Sequence, residues 1–545
     1  MDEKEILDNI DGRMHGPMPG FIAKFFGEPT CTHRDNGLEV QSAAPTPESF
    51  LPWFLNFVSE KYDGNRASWH TFSNTVTANH EQSDMGTSLL LTMPPSPTPN
   101  AQTRWSHAQV IGQFYQDEGV GYQHALVRLC QSAQQVFASQ PTRLFLHGFY
   151  IRGSQMELWV FDRSGLYCSE VFDVQKDFDQ FVFIMLRYGQ MTDEQLGTLQ
   201  RIKTDEEGSY ITLENVANSN LAKLYLESQP IACRQGLVGT GTTCYRAKPS
   251  GSNRWNYVLK FKWRWARHRP EDELLRLAQE KCGRFASEQP ADSRRRGVEG
   301  LRQPTGLADY TEKTDNYFQN RILTCAVTSP AGRPLHTFRS LLELLQVFRH
   351  AVQCHRSLYR DAEILHRDIS AGNMIILDNQ EGGAKGMLID LDVAIHLGTE
   401  LDRALGITGT RPFMAIGVLK GHQNTYRHDL EAFFYVFLWT IITNRADGLP
   451  EASRLRQWSR GTQDESAARK SRDIACDGFE GILGEFALEF HPLKPLAERL
   501  RRILFPLREG TMWIGTDTDA EAVDELYGQV ICAFEEAILG LESRE

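Results

Sequence analysis

The sequence has no excess of positive charge, no paired cysteines and no hydrophobic run long enough to span a membrane. Its 58 Lys and Arg residues are outnumbered by 70 Asp and Glu, which gives a net charge of −12. Proteins that bind nucleic acids favour a basic balance. We therefore expect no nucleic acid among its partners, and we interpret the basic run SRRRGVEGLR at 293–302 as a solvated loop.

The ten cysteines show no paired CxxC spacing and no nearby histidine pattern of the metal-site kind, so we interpret them as reduced, mostly packed thiols. The longest apolar segment, LEAFFYVFLWTIIT at 430–443, is too short for a bilayer core of ~30 Å. The acidic start MDEKEILDNIDGRMHG lacks the order of a signal peptide. We predict a buried core helix at 430–443 and an intracellular protein, cytoplasmic or nuclear, without a membrane partner.

A chain of 545 residues, 41% of them apolar, exceeds the size at which one hydrophobic core keeps growing. The first part, residues 1–200, is predicted to be a mixed α/β accessory domain with a loop or linker at 76–104. Strands are expected within 105–116 and 142–165, the latter with a turn at Arg152-Gly153-Ser154. Helices are expected in HALVRLCQSAQQVFASQ, FDQFVFIMLRYGQM and DEQLGTLQ.

The remaining chain divides into a β-rich part and a helical part. Residues 201–327 combine short β-type segments with one helix at 271–283, and residues 328–545 are mainly helical from the pattern at 338–359 onwards. This order predicts a bilobal protein-kinase-like fold of class α+β, with a small β-rich N-lobe and a large helical C-lobe.

The stretch LHRDISAGNMIILD at 365–378 has the HRDxxxxN spacing of a kinase catalytic loop. Phosphoryl transfer needs a carboxylate that accepts or orients the proton of an attacking hydroxyl, and Asp368 has this position. It also needs an amide oxygen on a metal ion that neutralises the phosphates, and we assign this role to Asn373.

Three further motifs follow in kinase order. The apolar stretch GMLIDLDVAIHLG at 386–398 contains Asp390, whose hard anionic oxygen suits Mg²⁺. The segment GTRPFMAIGVL at 409–419 matches the GTxxYMAPExL pattern that closes an activation loop. Asp429 opens the next apolar helix, where kinases have an aspartate that holds the catalytic loop.

The β-rich part is expected to bind the nucleotide. In GLVGTGTTCYRA at 236–247, the small residues Gly239, Thr240 and Gly241 would let backbone N–H groups approach phosphate oxygens. The third glycine of the usual pattern is replaced by Cys244.

Nineteen residues after the last of these glycines, Lys260 lies on a predicted strand at the position of the phosphate-pairing lysine. Lys262, on the same strand face, is the alternative. The lysine requires a carboxylate partner on the following helix, where Glu271 and Glu273 both lie in the first turn. We select Glu271.

Together these motifs resemble the fungal-type protein kinases, a divergent family with a protein-kinase-like fold. The likeness includes HRDISAGNMII, LIDLDVA, GTRPFMAIGVL and HDLEAFFYVFLW, and it extends over residues 100–540. The resemblance implies transfer of the ATP γ-phosphate to a hydroxyl of a protein substrate, with ATP and Mg²⁺ as cofactors. Carried over by position, the roles are catalytic base for Asp368, Mg²⁺ ligands for Asn373 and Asp390, phosphate contacts for Lys260 and Gly239 to Gly241, a structural anchor for Asp429, and a hinge at 328–332.

Several departures leave alternatives open. Ser370 stands where most Ser/Thr kinases carry lysine, and Gly417 replaces a glutamate that braces the activation segment, as in a pseudokinase scaffold. Asp392 at the third place of DFG resembles small-molecule kinases of the aminoglycoside and choline type. Thr410 favours a Ser/Thr acceptor, and we predict an active Ser/Thr protein kinase.

Two secondary hypotheses concern regulation and the first domain. Arg367 has the position from which an arginine holds a phosphorylated activation segment, with Thr399 and Thr408 as candidate sites. The strand QVIGQFYQ at 109–116 resembles the ExK strand of a nuclease-like fold. Gln113 and Tyr115, however, stand where that strand has its acidic residue and its lysine. We therefore expect scaffolding or partner binding from residues 1–200.

Overall fold

A computed structural model describes residues 3–27, 44–62, 67–73, 86–93, 105–198, 202–214, 221–234, 236–265, 271–282, 320–378, 383–397, 407–444 and 451–543. These residues form a mixed α/β structure in two compact units. The first unit takes its described residues from 1–268 and 291–327, and the second takes them from 269–290 and 328–545.

The first unit contains two sheets and five helices among its described residues. Its strands are β1 (Met14–His15), β2 (Ser68–Ser73), β3 (Thr87–Thr92), β4 (Ala108–Tyr115), β5 (Phe145–Arg152), β6 (Gln155–Asp162), β7 (Leu166–Cys168), β8 (Phe172–Asp173), β9 (Lys203–Asp205), β10 (Gly208–Glu214), β11 (Leu221–Leu226), β12 (Ala232–Cys233), β13 (Thr243–Pro249), β14 (Tyr257–Trp265) and β15 (Arg321–Thr328). Its helices are α1 (Glu3–Ile10), α2 (Phe21–Phe26), α3 (Phe50–Lys61), α4 (Tyr122–Ser139) and α5 (Phe178–Gln190).

The first sheet has the order β1-β7-β6-β5-β4-β3-β2, with β8 beside β6. It is covered on both faces, so β4 is buried along its whole length. Val110 and Phe114 of this strand pack into the core on the side of α3 and α5, whereas Ile111 and Tyr115 pack into the core on the side of α1 and α4. The predicted strands and the turn at Gly153 are confirmed.

Two details of this region differ from the prediction. The segment 76–104 is not a continuous loop, because TSLLLT within it forms β3 between β2 and β4. The helix predicted in DEQLGTLQ is wrong over 193–197, where the chain forms turns. Gly197 adopts a positive φ of 81°, and its added Cβ would meet the Phe145 carbonyl at 2.1 Å. Such a backbone ends helical continuation.

The second sheet of this unit has the order β15-β14-β13-β11-β10-β9, with β12 beside β13. Along β14, Leu259, Phe261 and Trp263 are buried in alternation, so Lys260 and Lys262 lie on the opposite strand face. The prediction that Lys260 lies on a strand is confirmed. The two sheets share no strand among the described residues, and the division of the chain at 200 and 327 remains a prediction.

The second unit is mainly helical. Its helices are α6 (Glu271–Cys282), α7 (Leu341–Asp361), α8 (Ile416–Leu419), α9 (Tyr426–Thr443), α10 (Arg454–Gln457), α11 (Gln463–Ile474), α12 (Cys476–Gly484), α13 (Lys494–Leu504) and α14 (Ala520–Glu542), with 3-10 turns at Leu335–Thr337, Ala371–Asn373, Arg411–Phe413 and Leu488–Leu493. Its short strands are β16 (Arg333–Pro334), β17 (Ile364–Leu365), β18 (Met374–Ile376), β19 (Gly386–Leu388), β20 (Ile395–His396), β21 (Leu507–Arg508) and β22 (Thr511–Met512).

Helix α9 forms the centre of this unit and is buried on nearly every side, which confirms the predicted core helix. Its apolar residues share one core with those of α7, α13 and α14. In the part of the chain that the structure describes, no helix is long and apolar enough to cross a membrane.

Candidate active site

Asp429, at the start of α9, accepts hydrogen bonds from the backbone of the loop after β17. One oxygen of this carboxylate, Oδ2, accepts hydrogen bonds from the backbone N–H groups of His366 and Arg367, each at 3.1 Å. The same oxygen contacts Nε2 of His355 at 2.9 Å, and Tyr527 contacts the other ring nitrogen at 2.7 Å. Burial alone would raise the pKa of Asp429, but these hydrogen bonds lower it on balance. The predicted anchor role of Asp429 is confirmed.

His366 joins the catalytic loop to the end of β19. Its Nε2 lies 3.2 Å from the Ile389 carbonyl, and its Nδ1 lies 3.3 Å from the N–H of Asp368. This pattern requires a neutral ring with the proton on Nε2. Complete burial lowers the pKa of His366, which favours the same neutral form. The ring therefore serves to orient the loop.

The carboxylate of Asp368 is held by groups from two sides. Its Oδ1 accepts hydrogen bonds from the N–H of Thr410 at 2.8 Å and from the Thr410 hydroxyl at 2.7 Å. Asn373 donates from Nδ2 to the Asp368 carbonyl at 2.9 Å and to its Oδ2 at 3.2 Å. The structure thus brings together Asp368, Asn373 and Thr410, and the carboxylate has a fixed orientation.

Three carboxylates meet beside the loop after β19. One oxygen each from Glu271, Asp390 and Asp392 lies within 4.8 Å of the others, and all three side chains are half-buried. Asp390 has a positive φ of 72°, and its Oδ1 accepts the N–H of Asp392 at 3.3 Å. Glu271 accepts the N–H of Leu391 at 2.9 Å. The prediction that Glu271 pairs with Lys260 stays a prediction.

This donor set suits a hard divalent cation. Mg²⁺ prefers oxygen ligands and takes one or two protein carboxylates, and the cluster offers oxygens only. Asn373 uses its Nδ2 atom on Asp368, so these hydrogen bonds leave its amide oxygen out, and its role as a metal ligand stays a prediction. The residues present therefore fit the metal that the motifs predict.

A family model described as fungal protein kinase matches residues 92–283 and 283–441. The chain belongs to the fungal protein kinase family. No curated protein matches the sequence. Membership indicates protein kinase activity, which implies the use of ATP. The match includes the catalytic loop, the strand of Lys260 and much of the first sheet of this fungal protein kinase.

The activation segment of this family member is braced by residues that the motifs did not reveal. Glu431 of α9 accepts the N–H of Ile416 at 2.6 Å, forms an ion pair with Arg427 at 2.6 Å and accepts the hydroxyl of Tyr435 at 2.7 Å. At Gly417, an added Cβ would lie 2.4 Å from Nε2 of His428, so a glutamate there would require the His428 ring to move. The predicted loss of an ion pair is thus compensated from α9.

The glycine-rich segment has contacts that the phosphate-loop prediction did not include. The N–H of Gly239 donates to the Arg163 carbonyl at 3.0 Å, and Asn9 accepts the N–H groups of Leu237 and Val238, each at 3.0 Å. An added Cβ at Gly241, where φ is 48°, would meet the Arg163 guanidinium at 2.8 Å. Gly239 also has a positive φ, of 132°, so both positions favour glycine for structural reasons. The phosphate contacts of Gly239, Thr240 and Gly241 remain a prediction.

The remaining candidates are placed as follows. Arg367 has a positive φ of 67°, and its Nη1 lies 3.4 Å from the Val393 carbonyl. Of its two candidate phosphorylation sites, Thr399 lies outside the described residues.

In the first sheet, Gln113 is buried and contacts the hydroxyls of Ser88 and Ser132, at 3.0 and 3.2 Å. A glutamine in this position supports a structural role for β4.

Proposed function

We propose that this protein is an ATP- and Mg²⁺-dependent serine/threonine protein kinase. The observation that carries the proposal is the fixed Asp368 carboxylate between Thr410 and Asn373. In this orientation Asp368 accepts the proton of the attacking hydroxyl, while Thr410 and Asn373 limit its rotation. Membership of the fungal protein kinase family supports a protein as the acceptor.

The other residues take supporting roles in this mechanism. Asn373 and Asp390 would hold Mg²⁺, with Asp392 and Glu271 as further oxygen donors at the same cluster. A metal ion held there would neutralise charge on the transferring phosphates. Lys260 contacts phosphate oxygens from β14, and Gly239, Thr240 and Gly241 precede the neighbouring strand β13. Arg367 fixes the catalytic loop through its backbone N–H and its bond to Val393.

These residue roles assign a function to each part of the chain. We infer that the sheet containing Lys260 acts as the kinase N-lobe and the helical unit as the C-lobe. The first sheet and its helices act as an accessory domain.

The experiment that tests this function is transfer of radiolabel from γ-labelled ATP in the presence of Mg²⁺. Acceptors are the protein itself, myelin basic protein, dephosphorylated casein and small alcohols such as choline. Wild type is expected to label serine or threonine in a protein, and Asp368→Asn is expected to reduce this rate by at least about 10²-fold. Asp464→Asn, at the exposed start of α11, is the matched control with the wild-type rate.

Two other outcomes would select other functions. Asp392 in the acidic cluster favours a small-molecule kinase, which labelling of choline alone would support. Absence of transfer by wild type, combined with nucleotide binding, would support a pseudokinase. The Glu431–Arg427 pair argues against that alternative, since the activation segment keeps a brace despite Gly417.

A further inference from the structure

A buried lysine outside the catalytic motifs contacts the activation segment. Lys470 of α11 is completely buried, and its Nζ donates to the carbonyls of Pro412 at 2.8 Å and Met414 at 2.6 Å. Lysine is almost never fully buried unless it is paired. Among the described residues, no carboxylate forms a salt bridge with it within 4.0 Å. Its hydrogen-bond partners are therefore these two backbone carbonyls.

Aromatic rings complete the surroundings of this ammonium group. The Nζ atom lies 4.3 Å from the centre of the Tyr435 ring and 5.3 Å from that of the Trp458 ring. A cation over aromatic faces is attracted by the ring quadrupole. The rings and the two carbonyls thus offset part of the cost of burying the ammonium group, and the lysine is directed at one short backbone stretch.

That stretch is the GTRPFMAI segment (residues 409–416). Its first half contacts Asp368 through Thr410, and its end contacts Glu431 through the N–H of Ile416. Lys470 holds the two carbonyls between these points. The position of the middle of the segment relative to Asp368 therefore depends on Lys470.

We propose that Lys470 is a positioning residue that shapes the GTRPFMAI segment for the protein acceptor and so sets the affinity for that acceptor. This inference rests on the proposed kinase function. It assigns to α11 a role in substrate binding without contact between Lys470 and the substrate. The nucleotide is bound by other residues, so its affinity is expected to be independent of Lys470.

The same geometry makes acceptor affinity sensitive to pH. Burial lowers the pKa of Lys470 to about 7, and the attraction of Glu431 only partly opposes this shift. Deprotonation leaves a neutral amine, whose hydrogen bonds to the two carbonyls are weaker than those of the ammonium group. Two titratable groups of α9 face Lys470: Glu431, whose charge acts on it and which also pairs with Arg427, and Tyr435, whose ring lies over Nζ and whose hydroxyl donates to Glu431. On α11 itself, Asp473 is already engaged by Arg454 and by the indole N–H of Trp458.

The test compares Lys470→Met, which is permanently neutral, with Lys470→Arg, which is permanently charged. KM for myelin basic protein and KM for ATP are measured between pH 6 and pH 9 in full-length protein. For wild type, KM for the acceptor is expected to rise about tenfold from pH 6 to pH 8, because the fraction of protein with a protonated, positioning Lys470 falls as the pH rises through its pKa. Lys470→Met is expected to have the high acceptor KM at every pH. Lys470→Arg is expected to show no rise of the acceptor KM with pH.

A second readout is independent of catalysis. Amide hydrogen exchange in residues 409–416 is expected to be faster in Lys470→Met than in wild type. In wild type, the exchange rate of these amides is expected to increase above pH 7 by more than the intrinsic exchange rate of an unprotected amide does. Lys420→Met, an exposed lysine directly after α8, is the matched control with wild-type values. If wild type transfers no phosphate, the kinase function fails, and exchange still tests the Lys470 contact.

The inference is overturned if Lys470→Met retains the wild-type acceptor KM and exchange rates. A KM change that affects ATP and acceptor equally would also overturn it, since that indicates general misfolding. If Lys470→Met does not fold, the wild-type pH profile against that of Lys470→Arg decides. Identical profiles in these two proteins contradict the role of Lys470.

Discussion

Glu431 accepts the backbone N–H of Ile416 at 2.6 Å, one residue before the glycine that replaces a bracing glutamate. Complete burial would raise the pKa of Glu431, but the Arg427 guanidinium lowers it on balance, so the carboxylate is ionised. The activation segment is therefore held by a carboxylate of α9 instead of one of its own. Glu431 and its ion-pair partner Arg427 lie four residues apart on one face of this helix.

Glu431→Gln is expected to lower the free energy of unfolding by about 3–5 kcal/mol, because it leaves the buried Arg427 without its ionic partner. Urea unfolding of wild type and variant at pH 7 measures the difference. Glu489→Gln, at an exposed position, is the control with no measurable change. A loss below about 1 kcal/mol for Glu431→Gln would mean that Arg427 finds compensation in the Leu504 carbonyl that it already contacts.

Gly241→Ala is expected to destabilise the first unit for two separable reasons. The positive φ costs roughly 1–2 kcal/mol for a residue with a Cβ, and contact with the Arg163 guanidinium adds roughly 1–3 kcal/mol of overpacking. Gly251→Ala isolates the first contribution, because φ is 73° there and nothing lies within 4 Å of the added Cβ.

A double-mutant cycle with Arg163→Met measures the second contribution. In the Arg163→Met background, the cost of Gly241→Ala should fall to that of Gly251→Ala. Equal costs of Gly241→Ala in both backgrounds would show that the two residues are not coupled. Nucleotide affinity measured on the same proteins shows whether this segment also contacts phosphate.

Mg²⁺ together with ATP is expected to raise the melting temperature of wild type more than ATP with a chelator does, because ligands that bind the native state stabilise it. Asp390→Asn should remove the metal-dependent part of this shift, since it takes a negative oxygen from the cluster. Asp272→Asn, in the same helical turn as Glu271, should retain it. Loss of the shift in Asp392→Asn but not in Asp390→Asn would transfer the ligand role to Asp392.

The predicted catalytic loop, core helix and lysine strand all depend on signals that are local in sequence. Asp368 and Asn373 are five residues apart, and the alternation around Lys260 reports which side of the strand is buried. The anchor role of Asp429 followed from its distance to the loop in a known arrangement, and its hydrogen bonds to His366 and Arg367 agree with it.

Errors arose where a local signal was weak or was overridden. The apolar run TSLLLT is short and lies beside proline-rich sequence, so its assignment to a loop was wrong. This run forms β3, whose backbone groups hydrogen-bond to β2 and β4. The residues near it in sequence do not reveal this strand pairing. In DEQLGTLQ the helical periodicity was overridden at Gly197, which has a positive φ and lies too close to the Phe145 carbonyl for a residue with a Cβ.

The sequence by itself determined the order of the catalytic motifs, the family and the residue types available for phosphoryl transfer, because these depend on spacing along the chain. Only the tertiary structure decided how the activation segment is held. Lys470 lies 56 residues from Met414 and meets it through the packing of α11, and Arg163 meets the glycine-rich segment 73 residues away. Such contacts depend on burial and on the path of the backbone, and a charged residue in a helix carries no mark of what it will contact.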